Sequence, residues 1–215
     1  MNTLSKVALG MIGQLRPRPV ADPTADRIRL PPAQMHGGLP LLDALGLRRS
    51  SREFAGTELP LPLLSTMLWA AWGVNRDEGG RTAPSAINAQ EVELYVAMPG
   101  GAYLYEPEAH ALRRVTSTDV RRVTGYQDFV DSAPMDLVFV ADHRRLLLVP
   151  EQQRIRYASA CAGAIAQNIY LFAAANGLST VIRAWMDRQA LANALGLGHD
   201  HEVLLAQTVG YPLLS

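Results

Sequence analysis

Apolar residues return along this chain at two periods, one helical and one strand-like. Over residues 62–72, Leu64, Leu68 and Trp72 recur every fourth position. A proline suits the first turn there and Gly73 follows as a cap, which predicts a helix. Residues 41–47 predict a short helix before it. The longest helical signal covers 151–176, about 40 Å at 1.5 Å per residue, and Gly177 follows as the residue that ends it. Its middle, 158–166, is dominated by Ala, Ser and Gly, small enough for close helix–helix approach. That helix is expected to be central, with a subunit interface supplying part of its cover. A last helix is predicted over 188–195. In 92–98 the period is two: Val92, Leu94, Val96 and Met98 face one way, and Glu93, Tyr95 and Ala97 the other, as in a strand with one buried face. Residues 103–105 and 111–115 flank Glu106-Pro107-Glu108 and predict a hairpin. Residues 135–141, closed by Asp142, then 178–184 and 203–209, complete the strands. Helices and strands do not alternate as regular βαβ units, so the fold class is α+β.

The first 39 residues follow neither period. Pro17, Pro19, Pro23, Pro31 and Pro32 fix φ and remove donors, so residues 1–39 are expected to form an extended N-terminal arm on a domain spanning 40–215. The apolar run 7–13 is diluted by Gly10 and Gly13 and lacks a close small-residue cleavage site, so it is taken as a tail rather than a secretory signal. The stretch 160–175 is interrupted by Gln167 and Asn168 and is not taken as a bilayer span.

Composition narrows the classes of function. The chain has 215 residues, 48% hydrophobic and 19% charged, an ordinary globular balance. Twenty basic residues offset twenty acidic ones. No global field therefore draws the protein to nucleic acid or an anionic membrane, and any anion it binds must meet a local positive cluster. The single cysteine, Cys161, is expected in the core, in keeping with a reducing, cytoplasmic setting. Walker A, G-x-G-x-x-G and G-x-S-x-G motifs are absent. His199-Asp200-His201 offers two ligands and no third at usable spacing, so a solvated loop rather than a metal site is expected. Asp142-His143 is read as a strand-end turn.

Three segments carry chemistry. Arg48-Arg49-Ser50-Ser51-Arg52 puts three guanidinium forks and two hydroxyls within five residues, a donor set suited to phosphate oxygens. A solvated helix end would explain the same residues equally well. Residues 81–90, RTAPSAINAQ, follow a Gly79-Gly80 turn and supply small residues with the polar Ser85, Asn88 and Gln90. Gly177-Leu178-Ser179-Thr180 lies where the long helix meets a strand.

Together these segments resemble the nitroreductase family. The family's opening Arg-x-Ser-x-Arg/Lys-x-aromatic corresponds to Arg48, Ser50, Arg52 and Phe54 (Arg-x-Ser being read here from Arg48 and Ser50). Its Pro-Ser-x-x-Asn-x-Gln loop corresponds to Pro84, Ser85, Asn88 and Gln90. Its helix-ending Gly-Leu-Gly/Ser-Thr corresponds to Gly177, Leu178, Ser179 and Thr180, and its closing Gly-Tyr-Pro to Gly210, Tyr211 and Pro212. The hairpin segment looks like the branch that includes azoline (SagB-type) dehydrogenases. The resemblance implies a central, mostly antiparallel sheet flanked by helices, and a domain-sharing homodimer with flavin mononucleotide (FMN) at the subunit interface. It implies that Arg48 and Arg49 reach the phosphate or ribityl chain, Ser50 the phosphate, and Arg52 the pyrimidine edge, where it would act electrostatically. Pro84, Ser85 and Ala86 would come from the other subunit, Asn88 would bond the ring edge, Gln90 would belong to the same cofactor-binding set, and Gly177–Thr180 would lie against the ring. Gln127 and Phe129 would stand on the substrate side, and Trp69, Trp72 and Trp185 are further candidates there, though core positions suit them better. The family's basic residues after the last strand are missing here, which leaves the phosphate to Arg48 and Arg49 or to a substitute such as Arg183. The implied activity is hydride transfer from NAD(P)H through flavin to a small organic acceptor. Oxidation of a peptide-derived azoline and a non-catalytic flavin-binding module are the alternatives.

Overall fold

Strand β7 (Met135–Asp142) is buried along all eight of its residues, which requires cover on both faces of the sheet it belongs to. The computed structural model describes residues 1–19 and 26–213. In chain order these contain α1 (Thr3–Met11), β1 (Arg18–Pro19), β2 (Arg27–Arg29), α2 (Leu41–Leu47), α3 (Leu61–Trp72), β3 (Val92–Met98), β4 (Gly101–Glu106), β5 (Ala111–Thr116), β6 (Thr118–Asp119), β7, α4 (Glu151–Ala175), β8 (Ser179–Arg183), α5 (Arg188–Leu195) and β9 (His201–Gly210), with short 3-10 turns between them. Seven strands form one sheet in the order β2-β5-β4-β3-β7-β9-β8, and β1 pairs with β6 apart from it. Every pairing is antiparallel.

Period-two alternation sorts β7 onto two cores. Leu137, Phe139 and Ala141 join Leu94 and Val96 of β3 beneath α3 and α4, where Met67, Leu68, Ala162, Ile165 and Ile169 close the layer. Val138 and Val140 join Tyr95 and Ala97 beneath α5, with Leu191, Leu195 and Leu15. Truncating one of these fully buried leucines to alanine costs about 2–5 kcal/mol, since transfer and cavity terms add. The second core also corrects the expectation for β3. Both of its faces are buried, because α5 and the N-terminal segment cover the side predicted to be open.

The extended arm is corrected as well. Its start is α1, N-capped by the Asn2 side chain on Ser5 N–H, and β2 is the outer strand of the main sheet, with Ile28 opposite Leu112. Helix α4 is long and apolar enough to cross a membrane, yet it packs on α2, α3 and the sheet as a core helix.

Candidate functional site

Helix α2 ends at Arg48, whose N–H donates to Ala44 O at 2.9 Å. The chain then leaves helical geometry and is tied down on two sides. Ser51 N–H donates to Thr180 O of β8 at 3.0 Å. The Ser50 hydroxyl shares a 2.8 Å hydrogen bond with the Tyr170 hydroxyl of α4, which accepts Ile182 N–H at 2.9 Å. The Arg48 guanidinium lies over the Tyr170 ring, 5.2 Å from its centre, a cation–π contact that sets the arginine's direction. Two residues beyond Arg52, Phe54 forms a bridge with Pro212, and Ala55 N–H donates to Tyr211 O at 2.9 Å. The Arg48–Phe54 stretch is therefore stitched to α4, to β8 and to the segment after β9.

The facing wall is the turn from α4 into β8. Gly177 takes φ +66, a left-handed value that glycine adopts without penalty, and Leu178 N–H closes the helix onto Ala173 O at 2.9 Å. The two walls enclose a cavity of about 400 Å³ lined by Arg48, Arg49 and Ser51 on one side, Tyr170, Ala173 and Ala174 of α4 behind, Gly177 to Thr180 opposite, and Pro212 at the edge. Residues 46–51 and 177–180, far apart in sequence, thus share one site. Its volume falls in the range of small-molecule pockets. Its only charged lining groups are the two arginines, so it presents net positive charge in a chain whose total is zero.

Other predicted residues stand elsewhere. Ser50 is turned onto Tyr170, and Ser51 takes the place at the cavity wall. Arg52 is exposed and outside the lining. None of Pro84, Ser85, Ala86, Asn88 or Gln90 lines the cavity. Their loop lies against the middle of α4, where Asn168 donates to Thr82 O at 3.4 Å, and it exposes Pro84, Ile87 and Asn88. Gln90 turns inward, donating to Gly79 O at 2.9 Å and accepting from Arg81 at 3.1 Å. Phe129 is half-buried, its ring 5.5 Å from that of Phe54. Gln127 offers its carbonyl to the Lys6 ammonium at 2.9 Å. Trp72 is core, whereas Trp185 is exposed and packs on Tyr126 at 5.3 Å.

Arg183 does not substitute at the phosphate. It is buried with Asp136, which accepts from it at 2.5 Å, and it also donates to Thr124 O and to the Thr208 hydroxyl. Burial pulls its pKa down and Asp136 opposes that pull. The Cys161 thiol is core, and burial pushes its pKa up, away from a reactive thiolate. Sequence spacing missed one cluster: His201, Glu93 and Asp142 converge at one end of the sheet. His199 is solvated with 93% of its side chain exposed, but His201 retains 14%. Asp142 already receives two 2.8 Å hydrogen bonds from Arg144.

The chain belongs to the nitroreductase family: residues 46–211 match the family's model. A protein of Methanocaldococcus jannaschii, provisionally named a nitroreductase, is 33% identical over 185 residues, 81% of this chain and 87% of that protein. The crystal structure of a protein from Ralstonia eutropha JMP134, also provisionally named a nitroreductase, is 46% identical and matches with a TM-score of 0.89 over 94% of this chain and 96% of that one. The fold is shared at greater distance by a Desulfovibrio desulfuricans protein solved in complex with FMN, 21% identical, with a TM-score of 0.59 over 82% of this chain and 88% of that one. The chain is accordingly an oxidoreductase of the flavoprotein class.

Proposed function

We propose that the cavity between Arg48–Ser51 and Gly177–Thr180 holds FMN in a homodimer, and that the enzyme passes hydride from NAD(P)H to a small organic acceptor such as a nitroaromatic or a quinone. One observation carries this reading: two arginines and a left-handed glycine turn line a single cavity of about 400 Å³, with no carboxylate to neutralise them. The FMN-bound relative of the same fold supports the choice of ligand. FMN would supply the hydride chemistry. This chain's residues would bind and orient it. Arg48, held by the Tyr170 ring, and Arg49 would pair with the phosphate, while Gly177, without a side chain, would let main chain approach the ligand. The loop formed by Pro84, Ser85, Ala86 and Asn88, with Pro84 and Asn88 exposed, would meet the cofactor of the partner subunit. Arg52, exposed beside the site, would give electrostatic support to negative charge gained on reduction. Gln127 and Phe129 would stand on the acceptor side. The lone buried thiol fits a cytoplasmic enzyme.

The test is an absorption spectrum of the purified protein after incubation with FMN, followed by anaerobic titration with NADH and NADPH. A yellow protein that bleaches with either donor is expected. Replacing Arg48 and Arg49 together with alanine should abolish FMN retention. A colourless parent, or a double variant that purifies at full occupancy, refutes the assignment.

A further inference from the structure

The loop over residues 84–90 holds an unfavourable backbone. Ile87, Asn88 and Gln90 have φ of +49, +54 and +52, a region disfavoured for residues with side chains and most of all for β-branched Ile87. Three such residues in four persist only where the surroundings over-determine the conformation. The hydrogen bonds that do so converge on Gln90. Its N–H donates to the Ser85 hydroxyl at 3.0 Å, and its amide nitrogen donates to Gly79 O at 2.9 Å and to Asn88 Oδ1 at 3.3 Å. Its amide oxygen accepts from Arg81 Nε at 3.1 Å.

Arg81 is in turn fixed from two other elements. Its side chain is only 4% exposed. It pairs with Glu108 in the turn between β4 and β5 and lies over the Trp72 ring at the end of α3, 5.7 Å from the centre. One guanidinium therefore joins a helix end, a hairpin turn and the strained loop. A lysine ammonium could not keep this geometry, because it lacks the planar fork that addresses Gln90 and Glu108 together.

We propose that Arg81, acting through Gln90, is a positioning residue that locks the 84–90 loop in its left-handed shape, so that Pro84, Ile87 and Asn88 are presented ready-made to the cofactor bound across the subunit interface. The role in cofactor binding rests on the function proposed above. The locking of the loop does not. Gln90 is then a brace within the loop rather than a direct cofactor contact.

Arg81→Lys and Gln90→Met test this in the full-length protein, by hydrogen exchange without cofactor and by FMN titration. The Asn88 and Ala89 amides, which donate to Ser85 O and Ala86 O, should exchange about tenfold faster in both variants. FMN affinity should also fall, about tenfold where the freed loop holds its competent shape a tenth of the time. Unchanged exchange at these amides, or faster exchange with FMN affinity unchanged, overturns the proposal, as does a general structural role, which would lower the Tm and speed exchange across the core strands rather than at these amides alone. Should Arg81→Lys fail to fold, Gln90→Met decides alone. If the parent binds no FMN, the proposed function fails, while the exchange measurement still decides whether Arg81 locks the loop.

Discussion

Glu91, at the head of β3, has no exposed surface, and neither of its carboxylate oxygens has a well-formed hydrogen bond among the described residues. Burial pushes its pKa above the ordinary glutamate range, and the opposing pull of its own backbone N–H and of Arg145 is weaker. Between the unfolded and folded values the native state therefore holds the extra proton. Stability from this group is full below the unfolded pKa and is lost as pH rises through the folded one. Glu91→Gln, which keeps the shape without the charge, should unfold at a higher temperature than the parent near pH 8, by roughly 2–4 °C per kcal/mol regained. The gap should close towards about pH 4, where both side chains are neutral. A Tm difference that is the same at both pH values would show that ionisation is not the cause. Arg183 teaches the complementary lesson about reading residues from sequence. Its partners Thr124, Asp136 and Thr208 lie 59, 47 and 25 positions away. Nothing near Arg183 in the chain distinguishes it from a solvent-facing phosphate clamp.

Helices and strands with a sustained apolar period were legible, because burial of one stripe or face imposes that period. Thus α2, α4, α5 and the β4–β5 hairpin stand close to where alternation and spacing put them. Arg48, Arg49 and Gly177–Thr180 were legible as a set through the order of their motifs, though which serine faces the cavity depended on Tyr170, too remote to weigh. What escaped was α1. Isolated helices this short are marginal in water, and α1 is held by tertiary contacts that no local pattern announces. Its Lys6 is fully buried, 2.7 Å from Asp131, and donates to Gly125 O and Gln127 O. Thr3 donates to Asp128 at 2.6 Å, and Gly10 meets the Tyr126 ring with no room for a Cβ. The helix thus clasps the segment bearing Gln127 and Phe129. Lys6→Met should remove one of the cations around Asp131, which keeps the Met1 amino group at 3.3 Å and Arg122 at 3.9 Å, together with the ammonium's bonds to Gly125 O and Gln127 O, and cost about 1.5–3 kcal/mol, on the order of 5 °C in Tm. Calorimetry showing an unchanged Tm would remove Lys6 as the anchor of α1.

A single copy of the molecule leaves much apolar surface uncovered. Helix α2 exposes Leu41, Leu42, Leu45 and Leu47, Leu42 at 79%, and α4 turns Ser159, Ala160, Gly163 and Gln167 outward. Exposed apolar surface of this extent marks an interaction face, and the proposed homodimer would cover it. Gly163 offers a clean probe, since a Cβ built there meets nothing within 4 Å. Gly163→Arg should leave the single chain folded yet yield a monomer in sedimentation velocity, with FMN lost alongside the dimer. A dimeric, yellow Gly163→Arg protein would place the interface elsewhere. The sheet order has one more outcome. Strand β9 follows every other described strand in the chain, yet it lies between β7 and β8, and β8 reaches the sheet only through it. The Ser179–Thr180 wall of the cavity is therefore anchored by a strand the ribosome makes after all the others. The arginines are made long before the surface they face is seated, and the pocket is finished only when β9 joins the sheet. A ligand that needs both walls can be held only once β9 is in place, an order of assembly written into the sheet.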